Sequence, residues 1–237
     1  PTYFWSRHKR TNFDWWRKRF KRQFELVDLL RLDHFRGFAG YWRVNGNSRT
    51  AICGKWINSP GRTLLNKLKN DLGTDYLPII AEDLGVITPD VEKLRKTFEL
   101  PGMKILQFAF DGNEDNPYLP ENIEGENWVV YTGTHDNSTS ISWWECLDNN
   151  SKKRIKDEYK FSENPAWSLI KIGMETNANL FIAPIQDILS LDDSSRLNIP
   201  GTTENNWKWK LNRPLEEIEA NIRIFSELGN NFGRTRK

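Results

Sequence analysis

An α/β fold organised around a parallel sheet is predicted by two features of this 237-residue sequence. Five short apolar runs close in polar or acidic residues: LVDLLRLD at 26–33, LPIIAED at 77–83, MKILQFAFD at 103–111, WVVYTGTHD at 128–136 and LFIAPIQD at 180–187. Segments that can be helical lie between them, and strands alternating with helices build βα units whose strands run parallel. No internal repeat, low-complexity tract or Pro/Ser/Gly linker divides the chain. One domain, or part of one, is therefore expected over residues 1–237.

The elements follow in order. Residues 12–28 read as a helix, because Phe13, Trp16, Phe20, Phe24 and Val27 recur at spacings of three and four. Arg17, Lys18, Arg19, Lys21 and Arg22 take the other face, which reads as a solvated helix surface in preference to a nucleic-acid footprint. LVDLLRLD then reads as a buried strand and HFRGFAGYW at 34–42 as a Gly-broken loop. Helices are expected over 61–70, over 88–98 with Pro89 just inside the start after Thr88, over 140–160 and over 163–176. In a parallel sheet the five polar strand ends gather on the carboxyl-terminal face, where α/β enzymes place their active sites.

Composition narrows the function classes. The 34 basic residues nearly balance the 32 acidic ones, so no global field favours nucleic acid or anionic lipid. The longest apolar runs, such as YLPIIA at 76–81, are far too short to cross a bilayer. Cys53 and Cys146 form no CxxC pair, which argues against a zinc knuckle, a redox dithiol or a disulfide scaffold and makes a reducing compartment the default. No charged and apolar leader opens the sequence. Eleven tryptophans, several beside Asn, Gly or Asp, are a mixture met where flat rings stack on sugars or bases.

Chemistry concentrates at the strand ends, which carry Asp33, Glu82, Asp83, Asp111, Asp136 and Asp187 together with Arg31, His34 and His135. Paired carboxylates can divide acid and nucleophile roles, as in glycoside chemistry, because their surroundings push their pKa values apart. A single strand-end Asp more often caps a helix or braces a loop; three acids with an Arg and a His favour catalysis. No GxSxG elbow, GxxxxGK[ST] or GxGxxG is present. His8, His34 and His135 with nearby aspartates leave metal-assisted hydrolysis as a weaker alternative, since no HExxH or close His pair supports it.

The segments LLRLDHFRGFAGYW at 29–42, IIAEDLGVITPDV at 79–91, PGMKILQFAFDG at 101–112, YTGTHDNSTS at 131–140 and APIQDILSLDDSSRLNIPGTTENNWKWK at 183–210 carry a resemblance. In order and across nearly the whole chain they resemble the 4-alpha-glucanotransferases (amylomaltase or disproportionating enzyme, glycoside hydrolase family 77). The resemblance implies a (β/α)8 TIM barrel and retaining transfer of a 1,4-alpha-glucan segment from a glucan or maltooligosaccharide donor to the 4-hydroxyl of glucose or another glucan. It implies no metal or organic cofactor, no nucleic acid and no membrane. On the matching positions Asp33 is the expected nucleophile and Glu82 the general acid and base. Asp136 is expected to bind the 2- and 3-hydroxyls of the reacting glucose. Arg31 would hold Asp33 ionised, His135 would bind the same ring, and Asn198 of RLNIPG would touch substrate. Some of Trp42, Trp56, Trp143, Trp144, Trp207 and Trp209 would form sugar platforms, with core packing the alternative for each. His34 reads equally as a supporting hydrogen bonder.

The match starts inside a family motif, at Tyr3 and Trp5. The five strand candidates correspond to barrel strands four to eight, so the chain is expected to be a fragment that is poorly soluble and inactive alone. Asn205 stands where the family leads one to expect Gly. Two rivals to the transferase are a non-catalytic glucan-binding fragment and an amylase-like hydrolase. For a bacterial source the cytoplasm is implied, for a plant or alga the plastid.

Overall fold

A computed structural model describes residues 2–235. The chain forms two compact units, the first reaching to Met103 and the second starting at Lys104. Helices and short strands alternate through both, as an α/β fold requires.

The first unit runs α1 (Trp5–Arg10), α2 (Asp14–Phe24), β1 (Leu30–Leu32), α3 (Arg36–Ala39), β2 (Gly40–Val44), β3 (Gly54–Asn58), α4 (Gly61–Leu72), β4 (Ile79–Ala81) and α5 (Pro89–Thr97). The predicted helix over 12–28 is shorter at both ends. Phe13 is buried but left-handed at φ 57°, outside the helix. The last turn stops at Phe24, which leaves Val27 exposed instead of on the core face. Trp16 and Phe20 of α2, Leu64, Leu65 and Leu68 of α4, Val91 and Leu94 of α5, and Ile79 and Ala81 of β4 share one core with Phe35 and Phe38. Full burial of each large apolar side chain contributes about 1.5–3 kcal/mol.

β1 and β4 pair in parallel, Leu30 with Ile79, Arg31 with Ile80 and Leu32 with Ala81. Residues 34–42 are not a simple loop: they hold α3 and the start of β2, which pairs antiparallel with β3 in a hairpin from Gly40↔Asn58 to Val44↔Gly54. The hairpin escapes hydrophobic patterning because both strands are largely exposed, so no apolar face alternates along them. Gly54 is required there, since a Cβ would run into the Trp42 ring and the Arg43 carbonyl.

β5 (Gly102–Ile105), β6 (Trp128–Tyr131) and β7 (Leu180–Ile182) form a three-stranded sheet in that order, with β6 and β7 parallel. The second unit continues with α6 (Ser140–Cys146), α7 (Asn149–Tyr159), α8 (Pro165–Glu175), α9 (Ile185–Ile188) and α10 (Leu215–Asn231). The single helix expected over 140–160 is two, because Asp148 caps a fresh start by accepting the Asn150 and Ser151 backbone N–H groups at 2.9 and 3.1 Å. Leu106, Phe110, Val130, Ile155, Leu169 and Ile172 make its main core. Gly173 of α8 lies against the Phe181 ring, leaving no room for a Cβ.

Candidate active site

In the first unit the register of β1 and β4 carries directly into the chemistry. Asp33 and Glu82 each follow the last paired residues, Leu32 and Ala81, and the ladder is extended by Glu82 N donating to Leu32 O at 3.0 Å. Adjacent strands run about 4.8 Å apart, so the two acids leave neighbouring strand ends at the same level. Arg31 Nη2 pairs with Asp33 Oδ1 at 2.9 Å and Arg31 Nε reaches Met103 Sδ at 3.3 Å. The guanidinium is therefore held from one side while it orients the carboxylate on the other. The Asp33 side chain is 76% exposed, free to meet a ligand.

His34, like Asn12, Phe13 and Glu99 of this unit, has a left-handed backbone. Its φ of 49° comes at a cost of about 1–2 kcal/mol for a residue with a Cβ. That turn aims its backbone N–H at Glu82 Oε2, 2.7 Å away, while Leu84 N donates to Glu82 Oε1 at 3.1 Å. Phe35 N closes onto Glu82 O at 3.0 Å. Gly37 leaves space for the His34 ring, whose Cδ2 would stand 3.3 Å from a Cβ there. Beside Asp33 a cavity of about 610 Å³ opens, lined by Trp5, Arg19, Arg31, His34 and Tyr41 among others. Arg19 reads from sequence as part of a solvated helix face, and nothing in the sequence marks Tyr41.

The second unit assembles Asp136, His135 and Asn198. They lie on the loop between β6 and α6 and on the long loop that follows α9. Asn198 Nδ2 donates to Asp136 Oδ1 at 2.5 Å, and His135 Nε2 stands 3.4 Å from Asp136 Oδ2. Trp207, 63% exposed, packs its ring 5.0 Å from the His135 ring. Arg196, which the sequence did not flag, donates to the Asp136 carbonyl at 2.6 Å.

Three of the six strand-end acids have other work. Asp83 sits between Arg95, at 3.0 Å, and the Met103 N–H, at 2.8 Å, with its side chain and that of Arg95 buried. Asp111 lies beyond the end of β5 and accepts the Asn113 N–H at 3.0 Å. Asp187 belongs to α9, not to the end of β7. Only 1% exposed, it accepts from Thr132 Oγ1 at 2.5 Å, Ser140 N at 2.7 Å and Ser140 Oγ at 2.8 Å. Burial pushes its carboxyl pKa up, against the pull of those hydrogen bonds. Through Thr132 and Ser140, Asp187 braces both ends of the loop that carries Asp136. Among the described residues no group of three or more His, Cys, Asp and Glu side chains gathers as a cation site.

The tryptophans divide as well. Trp143 and Trp144 pack against the core of the second unit. Trp42 and Trp56 are exposed on the β2–β3 hairpin, 5.6 Å apart and edge to face, with the Arg36 guanidinium 4.3 Å above the Trp56 ring. Trp209 is half-buried. No helix of the described residues is long and apolar enough to cross a membrane.

Comparison with known proteins connects this geometry to a family. The profile of glycoside hydrolase family 77, 4-alpha-glucanotransferase, matches residues 1–216. The 4-alpha-glucanotransferase of Synechocystis sp. is 46% identical over 212 residues, 89% of this chain and 42% of that protein. The chloroplastic/amyloplastic 4-alpha-glucanotransferase of Arabidopsis thaliana is 40% identical over 99% of this chain and 41% of its own length. Amylomaltase from Streptococcus agalactiae, solved in complex with acarbose, superposes with a TM-score of 0.91 at 34% identity, covering 100% of this chain and 48% of that one. The chain thus spans about two fifths of the curated relatives it matches. With its acids on the ends of adjacent parallel strands and the family profile running over most of its length, the chain belongs to the 4-alpha-glucanotransferase family, glycoside hydrolase family 77.

Proposed function

We propose that this chain is the carboxyl-terminal catalytic part of a 4-alpha-glucanotransferase TIM barrel, comprising strands four to eight. Within the whole barrel it serves the transfer of a 1,4-alpha-glucan segment to the 4-hydroxyl of glucose or another glucan. The observation that carries the reading is the placement of Asp33 and Glu82 one step beyond the register pair Leu32↔Ala81, with Glu82 fixed by the N–H of the residue after Asp33. A retaining pair of carboxyl groups works at about 5–5.5 Å, a separation that neighbouring strand ends can supply.

In the first step the Asp33 carboxylate attacks C1 of the donor glucose. The C1–O4 bond breaks, and Glu82 gives its proton to the departing 4-oxygen. In the second, the acceptor 4-hydroxyl attacks C1, Glu82 takes its proton, and Asp33 leaves as carboxylate. Arg31 orients the Asp33 carboxylate for attack and receives it again when it departs. Asp136 accepts hydrogen bonds from the 2- and 3-hydroxyls of the reacting ring, where they strengthen as the oxocarbenium-like state forms. His135 and Asn198 flank the same sugar. Acarbose held by the Streptococcus agalactiae relative supports an alpha-glucan or maltooligosaccharide ligand. The relatives' range, from bacteria to plastid-targeted plant proteins, supports a cytoplasmic or plastid setting.

The test is product analysis with maltotriose. Transfer yields a ladder of longer and shorter glucans; a mixture of glucose and maltose alone points to hydrolysis. Binding without turnover points to a glucan-binding fragment. Loss of the ladder in Asp33→Asn and Glu82→Gln, with wild type active, ties the activity to these acids.

A further inference from the structure

We infer that Arg196 is the positioning residue that sets Asp136 and Asn198 for the sugar, an inference that rests on the role proposed above for Asp136. One guanidinium reaches four separate groups. Nη2 donates to Asp136 O at 2.6 Å, Nε to Asn198 O at 3.0 Å and Nη1 to Ser138 Oγ at 3.1 Å. Nη1 also stands 3.5 Å from Asp193 Oδ2. The same Asp193 accepts the Thr139 backbone N–H at 2.8 Å through its other oxygen.

The residues that Arg196 joins across the two loops are 58 or more positions apart in sequence, Ser138 to Arg196 being the shortest span. Among the described residues no backbone–backbone hydrogen bond joins residues 134–139 to residues 193–207, so their register depends on side chains. Arg196 ties the backbone of each: the carbonyl of Asp136 on one side and the carbonyl of Asn198 on the other. The 2.5 Å contact of Asn198 Nδ2 with Asp136 Oδ1 then follows from where the two backbones are held. The Arg196 side chain is 17% exposed, largely shielded from the water that would weaken these bonds. A planar guanidinium offers five N–H donors in a fixed fork, and an ammonium on a flexible stem cannot span three acceptors lying in different directions.

Arg196→Ala and Arg196→Lys, with Asp136→Asn as comparison, test this in the full chain. Two readouts are used: hydrogen exchange over 134–138 and 196–207, and affinity for maltoheptaose. In Arg196→Ala both segments are expected to exchange at least tenfold faster while β6 and α8 are unchanged, and maltoheptaose binds at least tenfold more weakly. Arg196→Lys, with the charge kept and the fork lost, remains at least fivefold weaker than wild type; full rescue by Lys would reduce the role to charge alone and overturn the inference. Unchanged exchange in both segments would overturn it as well, whether or not maltoheptaose binds. If Asp136→Asn binds maltoheptaose like wild type, the role of Asp136 fails, and the exchange result still decides whether Arg196 sets the two loops.

Discussion

Replacing Asp187 tests how the loop carrying His135 and Asp136 is braced. Asp187→Ala strands three buried donors: the Ser140 amide, which has no other acceptor within the first turn of α6, and the hydroxyls of Thr132 and Ser140. The amide costs about 2 kcal/mol and each hydroxyl, able to rotate, about 1 kcal/mol, for a loss of about 4 kcal/mol. For a chain of this length that lowers Tm by about 10 °C. Asp187→Asn keeps one oxygen for the amide and is expected to lose about half as much. The raised pKa adds a pH signature. Native Asp187 holds its proton to higher pH than the unfolded chain does, so the native state binds more protons over that window and wild-type stability falls as pH rises through it. Asn does not titrate, so the gap between wild type and Asp187→Asn narrows as pH rises above the ordinary carboxylate range, at up to about 1.4 kcal/mol per pH unit. Thermal unfolding followed by circular dichroism reads both effects. An Asp187→Ala variant within 1 kcal/mol of wild type at pH 4.5, or parallel pH curves for wild type and Asp187→Asn, would refute the reasoning.

The acid assignments separate on donors of different reactivity: Glu82→Gln should lose about two to four orders of magnitude in rate on maltotriose and regain much of it on alpha-maltosyl fluoride, which leaves without a proton. Asp33→Asn should stay inactive on both; equal behaviour of the two variants would refute this division of roles. Gly173→Ala drives a methyl group into the Phe181 ring and should cost about 2–3 kcal/mol, read as a drop in Tm. An unchanged Tm would mean that α8 and β7 shift apart freely. Leu180 and Ile182 of β7 are exposed on a strand with one partner among the described residues, so light scattering should show self-association that Leu180→Lys reduces; a monodisperse wild-type chain would count against it.

Much of this was legible in the sequence because short buried strands and polar strand ends leave strong marks. Ile79, Ile80 and Ala81 are all buried, so IIA reads as strand, and the acid that follows it stands at the sheet end. The β2–β3 hairpin left no such mark, being exposed on both faces. Asp187 looked like a strand-end acid and is a buried brace, because residues 183–187 turn into α9 and no periodicity announces a four-residue helix. Arg196 looked like any loop cation; what distinguishes it is a set of carbonyls that only the fold brings to it. Asn205, in place of the expected Gly, has φ 61°, a left-handed conformation that Asn adopts more readily than most residues with a Cβ.

Both cysteines are free and solvent-exposed, Cys53 in the β2–β3 turn of one compact unit and Cys146 at the end of α6 in the other. A thiol-reactive spin label therefore places one probe on each unit without changing a single residue. Dipolar spectroscopy on the wild-type chain would then read the spacing of the units, its spread, and any change when a maltooligosaccharide is added.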